Sequence, residues 1–501
     1  MVVVGAGPGG ATCAARLADD PRLRVLLLEA GGAPGWRAAA PGYRPPPLHA
    51  LDWTRASVPQ HGLGDRRVYC PAGRALGGGS AIGWGIYSRG EAEDYDRWAA
   101  DGLTGWSWDE VAPWYRRGER YHPPGGALHG ARGPLPVSIP APSAATRAFL
   151  SAAEKAGEPL ALDLAAPDAR GAAPFALMMR GGERWDAARA WLAPHPNLLV
   201  HTDALVERVL FESGRAWGVR YRRGGEERVV RAGRVVLAAG AIATPALLMR
   251  SGIGPPRHLI DHGIALVASS PQVGERLAEG VCVSLPFATG EPFGAPPRAT
   301  LAARLAWALR RRGPLAELPV PAGVLLRAGA TGGGLAAAIL FSPFPDPGGG
   351  RPAGRDRGFT LRLAIPQPFA RGRVRLSGIG ALDPPQVDPD LLGDFRDLAT
   401  LRWAHEAAMR IAAMPPLAGA RPWLADDDLD RVLRSRAEPL HQPAGTAAMG
   451  GDGAVCDPRL RVRGIDGLSI ADLSVLPAAG LGGVATAAMI GERCATFLRG
   501  S

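Results

Sequence analysis

Hydrophobic positions along this chain follow two periodicities, and a few continuous apolar runs obey neither. Val2–Val4 and Arg24–Leu28 are such runs, and their lack of alternation predicts strands of a parallel sheet covered on both faces. Between them, Pro8 to about Asp19 reads as a helix. Pro8 sits in its first turn, where a missing N–H costs nothing, and Pro21 marks the turn beyond it. Arg234–Gly254 repeats the scheme as a buried strand, a glycine turn and a helix closed by Gly252. A helical period predicts an amphipathic helix over Ser143–Gly157 and an alanine-rich one near Leu398–Met414. A period of two over Asn197–Tyr221 predicts a hairpin turning at Ser213-Gly214, and Phe359–Ile365 and Arg373–Leu376 alternate as further strands. Pro159–Arg180 has no readable period. Leu285–Arg357 has none either, and its tracts Gly332–Gly334 and Gly348–Gly350 read as loops, as does the Gly/Pro-rich stretch after Glu29 through Pro47.

Gly5, Gly7 and Gly10 form G-x-G-x-x-G between the first strand and the first helix. Gly5 permits the tight turn, Gly7 lets the backbone approach a pyrophosphate, and Gly10 lets the helix lie close to the strand. Glu29 ends the second strand 19 positions after Gly10, where an acid can hold both ribose hydroxyls. Strand, turn, helix and acid in this order predict a dinucleotide site.

A second glycine-rich loop holds Gly73, Gly77, Gly78 and Gly79 around Arg74, and Ser80 is placed to cap the element that follows. The whole stretch Tyr69–Asp96, YCPAGRALGGGSAIGWGIYSRGEAEDYD, resembles the first signature of the glucose–methanol–choline (GMC) flavin oxidoreductases. Gly240, Thr244, Pro245, Leu247, Leu248, Ser251, Gly252 and Gly254 fit that family's second signature. Leu128–Val137 matches its lead into the substrate domain, and Asp457-Pro458, Gly464–Leu468 and Ile470–Pro477 track its carboxyl end. The resemblance implies an α/β fold, α+β overall: a Rossmann-like FAD-binding domain and a substrate domain of antiparallel sheet covered by helices. It assigns 1–140, 195–285 and 440–501 to the FAD domain and 141–194 and 286–439 to the substrate domain. The FAD contacts it implies are Gly5, Gly7, Gly10, Glu29, Arg74, Gly77, Gly78 and Ser80, with the backbone of Val206 against the adenine. Asp472 would hold the ribityl chain and Leu473 would offer its backbone N–H to a phosphate. Ala485–Leu498 would be a helix whose N-terminus, at Gly483, points its partial positive charge at the flavin.

The activity implied is oxidation of a small-molecule alcohol, with hydride passing to flavin N5 and a base removing the hydroxyl proton. The family supplies the base as a His in H-P-x-G-T, helped by a second His or Asn before the final helix. Setting Gly445, Thr446, Met449 and Gly450 in register puts Gln442 at the first position and Val484 at the second. Neither is a base. Gly83 stands where the family usually carries an Asn beside the ring. His441, adjacent to Gln442, is the remaining candidate base, although neighbours on an extended segment point to opposite faces. Three departures together leave open an altered reaction (a lyase, an isomerase, an oxidation without a histidine base) or a flavin binder without turnover. A plain NAD-dependent dehydrogenase fits least, because both signatures surround a flavin.

Composition narrows the setting. The 501 residues, 47% apolar, suit a folded globular protein. The net charge of +10 is carried almost wholly by arginine, with Lys155 the one lysine, and no basic run interleaves with aromatics, so nucleic acid is not an expected partner. Five scattered cysteines (Cys13, Cys70, Cys282, Cys456, Cys494) make no metal-binding spacing, and none of them suggests a metal site. They fit a reducing, cytoplasmic setting. No charged leader precedes the first strand, which begins almost at Met1, so a start a few residues further upstream stays open. The apolar run nearest to bilayer length, Val235–Met249, is broken by Gly240 and Pro245. Oxygen, a quinone and a protein carrier all remain open as electron acceptor.

Overall fold

A computed structural model describes residues 1–500 apart from 43–50, 123–125, 291–292, 294–299, 329–333, 347, 349–356, 424–427 and 479. The end of the expected loop, 43–47, and most of the two glycine tracts therefore lie outside the described residues, while the part before it holds a short helix, Gly35–Ala39.

Two sheets organise the chain. The first has five strands, all parallel, in the order Leu198–His201, Val25–Leu28, Val2–Val4, Val235–Leu237 and Leu468–Ile470. Its central strand is buried throughout, as a non-alternating run requires. Leu198–His201 corrects the hairpin reading of Asn197–Tyr221. It joins this sheet beside Val25–Leu28, and the hairpin proper is Ala204–Glu212 with Arg215–Arg223, extended by Glu226–Arg231. The turn is as expected, with Ser213 and Gly214 both at positive φ.

The first helix, Pro8–Ala18, packs along the last one, Gly483–Arg499. Glycines allow the approach: a Cβ on Gly9 would lie 1.9 Å from the Ala471 carbonyl oxygen, and one on Gly491 would lie 2.3 Å from that of Gly9. Arg16 Nε donates to the buried Glu492 at 2.7 Å and ties the two helices by charge.

The second sheet is antiparallel and seven-stranded. It runs Arg421–Pro422, Val281–Ala288, Gly358–Ile365, Leu335–Ser342, Ala322–Arg327 and Gly171–Pro174, with Ala437–Pro439 also on Val281–Ala288. Side-chain alternation sorts it into two buried faces. Phe287, Phe341 and Phe359 point into a core beneath the helices Ala144–Lys155 and Phe395–Ala412, where Phe341 stacks on Phe149 at 4.5 Å between ring centroids. Cys282, Ala338, Leu340 and Ala364 form the other face, in one apolar cluster with Leu440 and Leu481 of the carboxyl-terminal segment. That face is the wall the sheet turns toward the glycine loops.

Candidate cofactor and active site

The two glycine loops meet. Gly77 N–H donates to the Ala6 carbonyl at 2.9 Å, and a Cβ on Gly78 would lie 2.7 Å from Gly7 Cα. Gly5, Gly77 and Gly78 all take positive φ, which an L side chain rarely adopts. Gly10 is sealed by packing, since a Cβ there would lie 1.9 Å from the Gly5 oxygen. Gly7 differs: a Cβ would find nothing nearer than Gly78 Cα at 4.0 Å, and at Gly79 or Gly240 it would find nothing within 4 Å. Open backbone therefore faces the space between the loops and the strand ends.

Glu29 lies beside this space and is buried. Its Oε2 accepts from Ala6 N–H at 2.8 Å and its Oε1 from Gly31 N–H at 2.9 Å. Burial raises its pKa to about 7 despite those bonds. Ala30 N–H bonds the same carboxylate, and lone-pair capacity still remains for a hydroxyl. Arg74 holds its guanidinium 4.8 Å from the Trp53 ring, and its carbonyl lies where a Cβ on Gly31 would fall.

Ser80 departs from its expected part. It lies within the short helix Gly79–Ile82, whose cap position is Gly78, so it caps nothing at its own helix. Its Oγ donates to the Gly77 carbonyl at 2.6 Å and accepts from Ala187 N–H at 2.9 Å, bracing the loop against the helix Ala187–Trp191. From the same side the buried Arg184 guanidinium donates to the Ala81 and Gly83 carbonyls. Val206 is buried in the hairpin beside a register shift between Val206 and Arg208.

Asp472 joins two distant segments. Its Oδ2 accepts from Gly240 N–H at 2.9 Å and from Thr244 Oγ1 at 2.6 Å, and its Oδ1 accepts from Ser474 N–H at 2.9 Å. It thereby fastens the start of the helix Gly240–Arg250 to the 3-10 turn Leu473–Val475. Burial pushes its pKa up from the usual carboxylate range. Gly445 N–H donates to the Leu473 carbonyl at 3.3 Å, which docks the His441–Gly450 segment on the same turn.

Gln442 reaches the start of the last helix. Its Oε1 accepts from Gly483 N–H at 2.9 Å and its Nε2 donates to the Leu481 carbonyl at 2.9 Å. Val484 follows at the next position, half-buried against the core of the parallel-sheet domain. His441 is exposed and holds φ at +65°, a turn conformation uncommon outside glycine. Below this turn lies Glu279, which the sequence reading missed. It is buried, takes Gln442 N–H on Oε1 at 3.0 Å, and also accepts the backbone N–H groups of His441 and Gly280. Burial raises its pKa to about 8. The sequence signal available was an acid set between Leu277-Ala278 and Gly280-Val281, with no polar neighbour to solvate it.

Between Gly480–Leu481 and the inner face of the second sheet lies a small cavity of about 10 Å³, room for one water, lined among others by Ser88, Glu91, Phe175, Leu325 and Gln367. Glu91 is paired with Arg327, and burial still raises its pKa to about 7. No group of His, Cys, Asp and Glu among the described residues is arranged to hold a metal ion.

Two family patterns, each described as GMC oxidoreductase, match residues 2–282 and 368–491. The chain belongs to the GMC oxidoreductase family. It is 31% identical to the mitochondrial choline dehydrogenase of Homo sapiens, over 100% of this chain and 89% of that protein. It is 31% identical to an alcohol dehydrogenase [acceptor] of Pseudomonas putida, over 95% and 91%. The crystal structure of pyridoxine 4-oxidase from Mesorbium loti superposes with a TM-score of 0.91 at 30% identity, covering 100% of this chain and 99% of that one. The cofactor is FAD, and the open backbone at Gly7, Gly79 and Gly240 beside a buried acid fits a dinucleotide. The protein is an oxidoreductase of the class acting on CH–OH donors.

Proposed function

We propose that this GMC oxidoreductase oxidises a small-molecule alcohol beside the His441-Gln442 turn, with His441 as the proton acceptor. The observation that carries the reading is the convergence of three elements at one place: the paired glycine loops, the turn at His441-Gln442 and the start of the last helix. In it, Glu29 would hold the ribose hydroxyls, and the Gly7 backbone and Leu473 N–H would serve the pyrophosphate. Val206 would lie against the adenine. Asp472, anchored by Gly240 and Thr244, would hold the ribityl chain. FAD, when bound, supplies the hydride acceptor.

The remaining work falls to the chain's own groups. The last helix would offer its N-terminus, worth about half a positive charge, to the bound flavin. Gln442 fixes that terminus by capping Gly483, and with both amide atoms engaged it moves no proton. His441 supplies the one imidazole of the turn and takes the hydroxyl proton on a ring nitrogen. Glu279 holds the turn from below through backbone N–H groups. The apolar wall of Ala338, Leu340, Ala364 and Leu481 keeps water from the reacting carbon. Domain limits near 140, 195, 285 and 440 fit this division of labour. The five free, buried thiols suit a cytoplasmic setting, and no helix among the described residues is long and apolar enough to cross a membrane.

Anaerobic mixing of the yellow protein with a panel of alcohols is expected to bleach the flavin band, and His441→Ala to slow that bleaching and change its pH dependence. A colourless protein that cannot be loaded with FAD refutes the whole reading. Normal bleaching by His441→Ala at every pH refutes His441 alone. A second reading, a GMC fold with altered chemistry, is favoured by the full commitment of Gln442 to the helix and by the apolar Val484. A yellow protein that no alcohol bleaches is its signature.

A further inference from the structure

The helix Leu301–Arg310 lies on the surface with its leucines outward. Thr300 starts it, its Oγ1 accepting from Ala303 N–H at 3.1 Å. Ala303 and Trp307 are its buried positions, and Trp307 Nε1 donates to the Gly182 carbonyl at 2.9 Å. That anchoring turns Leu301, Leu305 and Leu309 to solvent, with 74%, 51% and 79% of their surface exposed. Spaced four apart, they form one stripe along the helix. A surface helix ordinarily carries polar residues there. Arg304 flanks the stripe, and Arg310, Arg311 and Arg312 close its C-terminal end. Arg311 stacks on Trp307 at 4.3 Å and pairs with Glu183 at 2.8 Å, whereas Arg304, Arg310 and Arg312 are exposed. The sequence from Thr300 to Gly313 contains no acid.

We infer that this face docks the protein on an anionic lipid surface. Leucines set into the boundary between headgroups and acyl chains bury their exposed area, while the arginines rest their stems on the apolar layer and meet lipid phosphates. Charge complementarity selects a negative surface, in keeping with the net charge of +10. A second copy of the chain is the weaker occupant. Three leucines a side fall well short of the roughly 800 Å² per partner that a stable interface buries. The docking helix is seated on the active-site shell: Gly182 abuts the Arg311 carbonyl, and Arg184, two residues on, holds the Ala81 and Gly83 carbonyls of the flavin loop. A docked protein thus presents that loop near the bilayer.

Flotation of the holoprotein with phosphatidylcholine vesicles, with and without phosphatidylglycerol, tests the inference. The wild type is expected to float with the mixed vesicles only and to be released by salt. Leu305→Asp with Leu309→Asp, and Arg310→Glu with Arg312→Glu, are each expected to weaken binding about tenfold or more. Melting temperature, FAD content and size-exclusion profile stay as in the wild type, because all four side chains are exposed. A wild type that floats with neither vesicle overturns the inference, and so do variants that bind as the wild type does. A wild-type dimer that Leu305→Asp converts to a monomer also overturns it, by assigning the stripe to a second copy.

Discussion

Glu279 makes the stability of this protein depend on pH in a direction opposite to that of most carboxylates. Its carboxyl is buried under the His441-Gln442 turn, and its pKa rises from 4.5 to about 8. The folded state therefore holds a proton that the unfolded chain releases at lower pH. Stability from this group is fully present below 4.5 and is lost as pH rises through about 8. At about 1.4 kcal/mol per pH unit, the loss between pH 5 and 8 comes to about 3.5 kcal/mol. Spread over an unfolding entropy of about 2.1 cal/mol/K per residue, that is a fall in melting temperature of about 3 °C for a chain of this length. Glu279→Gln keeps an acceptor for Gln442 N–H but cannot ionise. Measured at pH 5, where the wild-type carboxyl is protonated, the variant is expected to lose about 1–2 kcal/mol from the backbone group left without an acceptor, a deficit that shrinks and then reverses as pH approaches 8. Its melting temperature should decline less steeply between pH 5 and 8 than that of the wild type. Calorimetry of both holoproteins across that range measures the two slopes. Glu29 and Glu91, whose pKa values burial raises to about 7, contribute equally to both proteins and cancel in the comparison. Parallel slopes would refute the claim that Glu279 is protonated in the folded state at neutral pH.

Gly7→Ala and Gly10→Ala should part company: the first melts within about 0.5 kcal/mol of wild type yet binds FAD at least about tenfold more weakly, whereas the second collides with the Gly5 carbonyl and fails to fold. FAD titration of refolded apoprotein, with melting curves, separates them. Asp472→Asn deprives Gly240, Thr244 and Ser474 of a common acceptor and is expected to cost about 2–4 kcal/mol, read as lowered melting and faster FAD release. Gln442→Ala uncaps the last helix at a cost of about 1–2 kcal/mol, and a melting temperature unchanged from wild type would contradict the capping role.

Much of this site is legible in the sequence because glycine spacing reports backbone geometry directly. Gly5 and Gly10 behave as their motif demands: one in a tight turn at positive φ, the other sealed against the strand. The non-alternating runs place the central strands correctly for the same reason, since a strand covered on both faces has no polar side to show. What failed was contingent on partners far along the chain. Ser80 looked like a cap because it follows three glycines, and its hydroxyl instead braces a helix more than a hundred residues away. Leu198–His201 looked like half of a hairpin because periodicity cannot say which neighbour a strand will choose. Glu279 was missed because a single acid in an apolar stretch carries no spacing to read, and its significance appears only when two backbone N–H groups from position 440 onward fold over it.

The order of the parallel sheet has a consequence for biosynthesis. One of its two edge strands, Leu468–Ile470, and the helix that covers Pro8–Ala18 are among the last segments to leave the ribosome, while the strand at the centre is among the first. At 5–20 residues per second, translation leaves the amino-terminal glycine turn waiting for on the order of a minute. During that interval Val235–Leu237 lacks its outer neighbour in the sheet. FAD loading is then expected to follow release of the chain, and a chain truncated before residue 468 is expected to be colourless, which absorbance of the purified fragment checks.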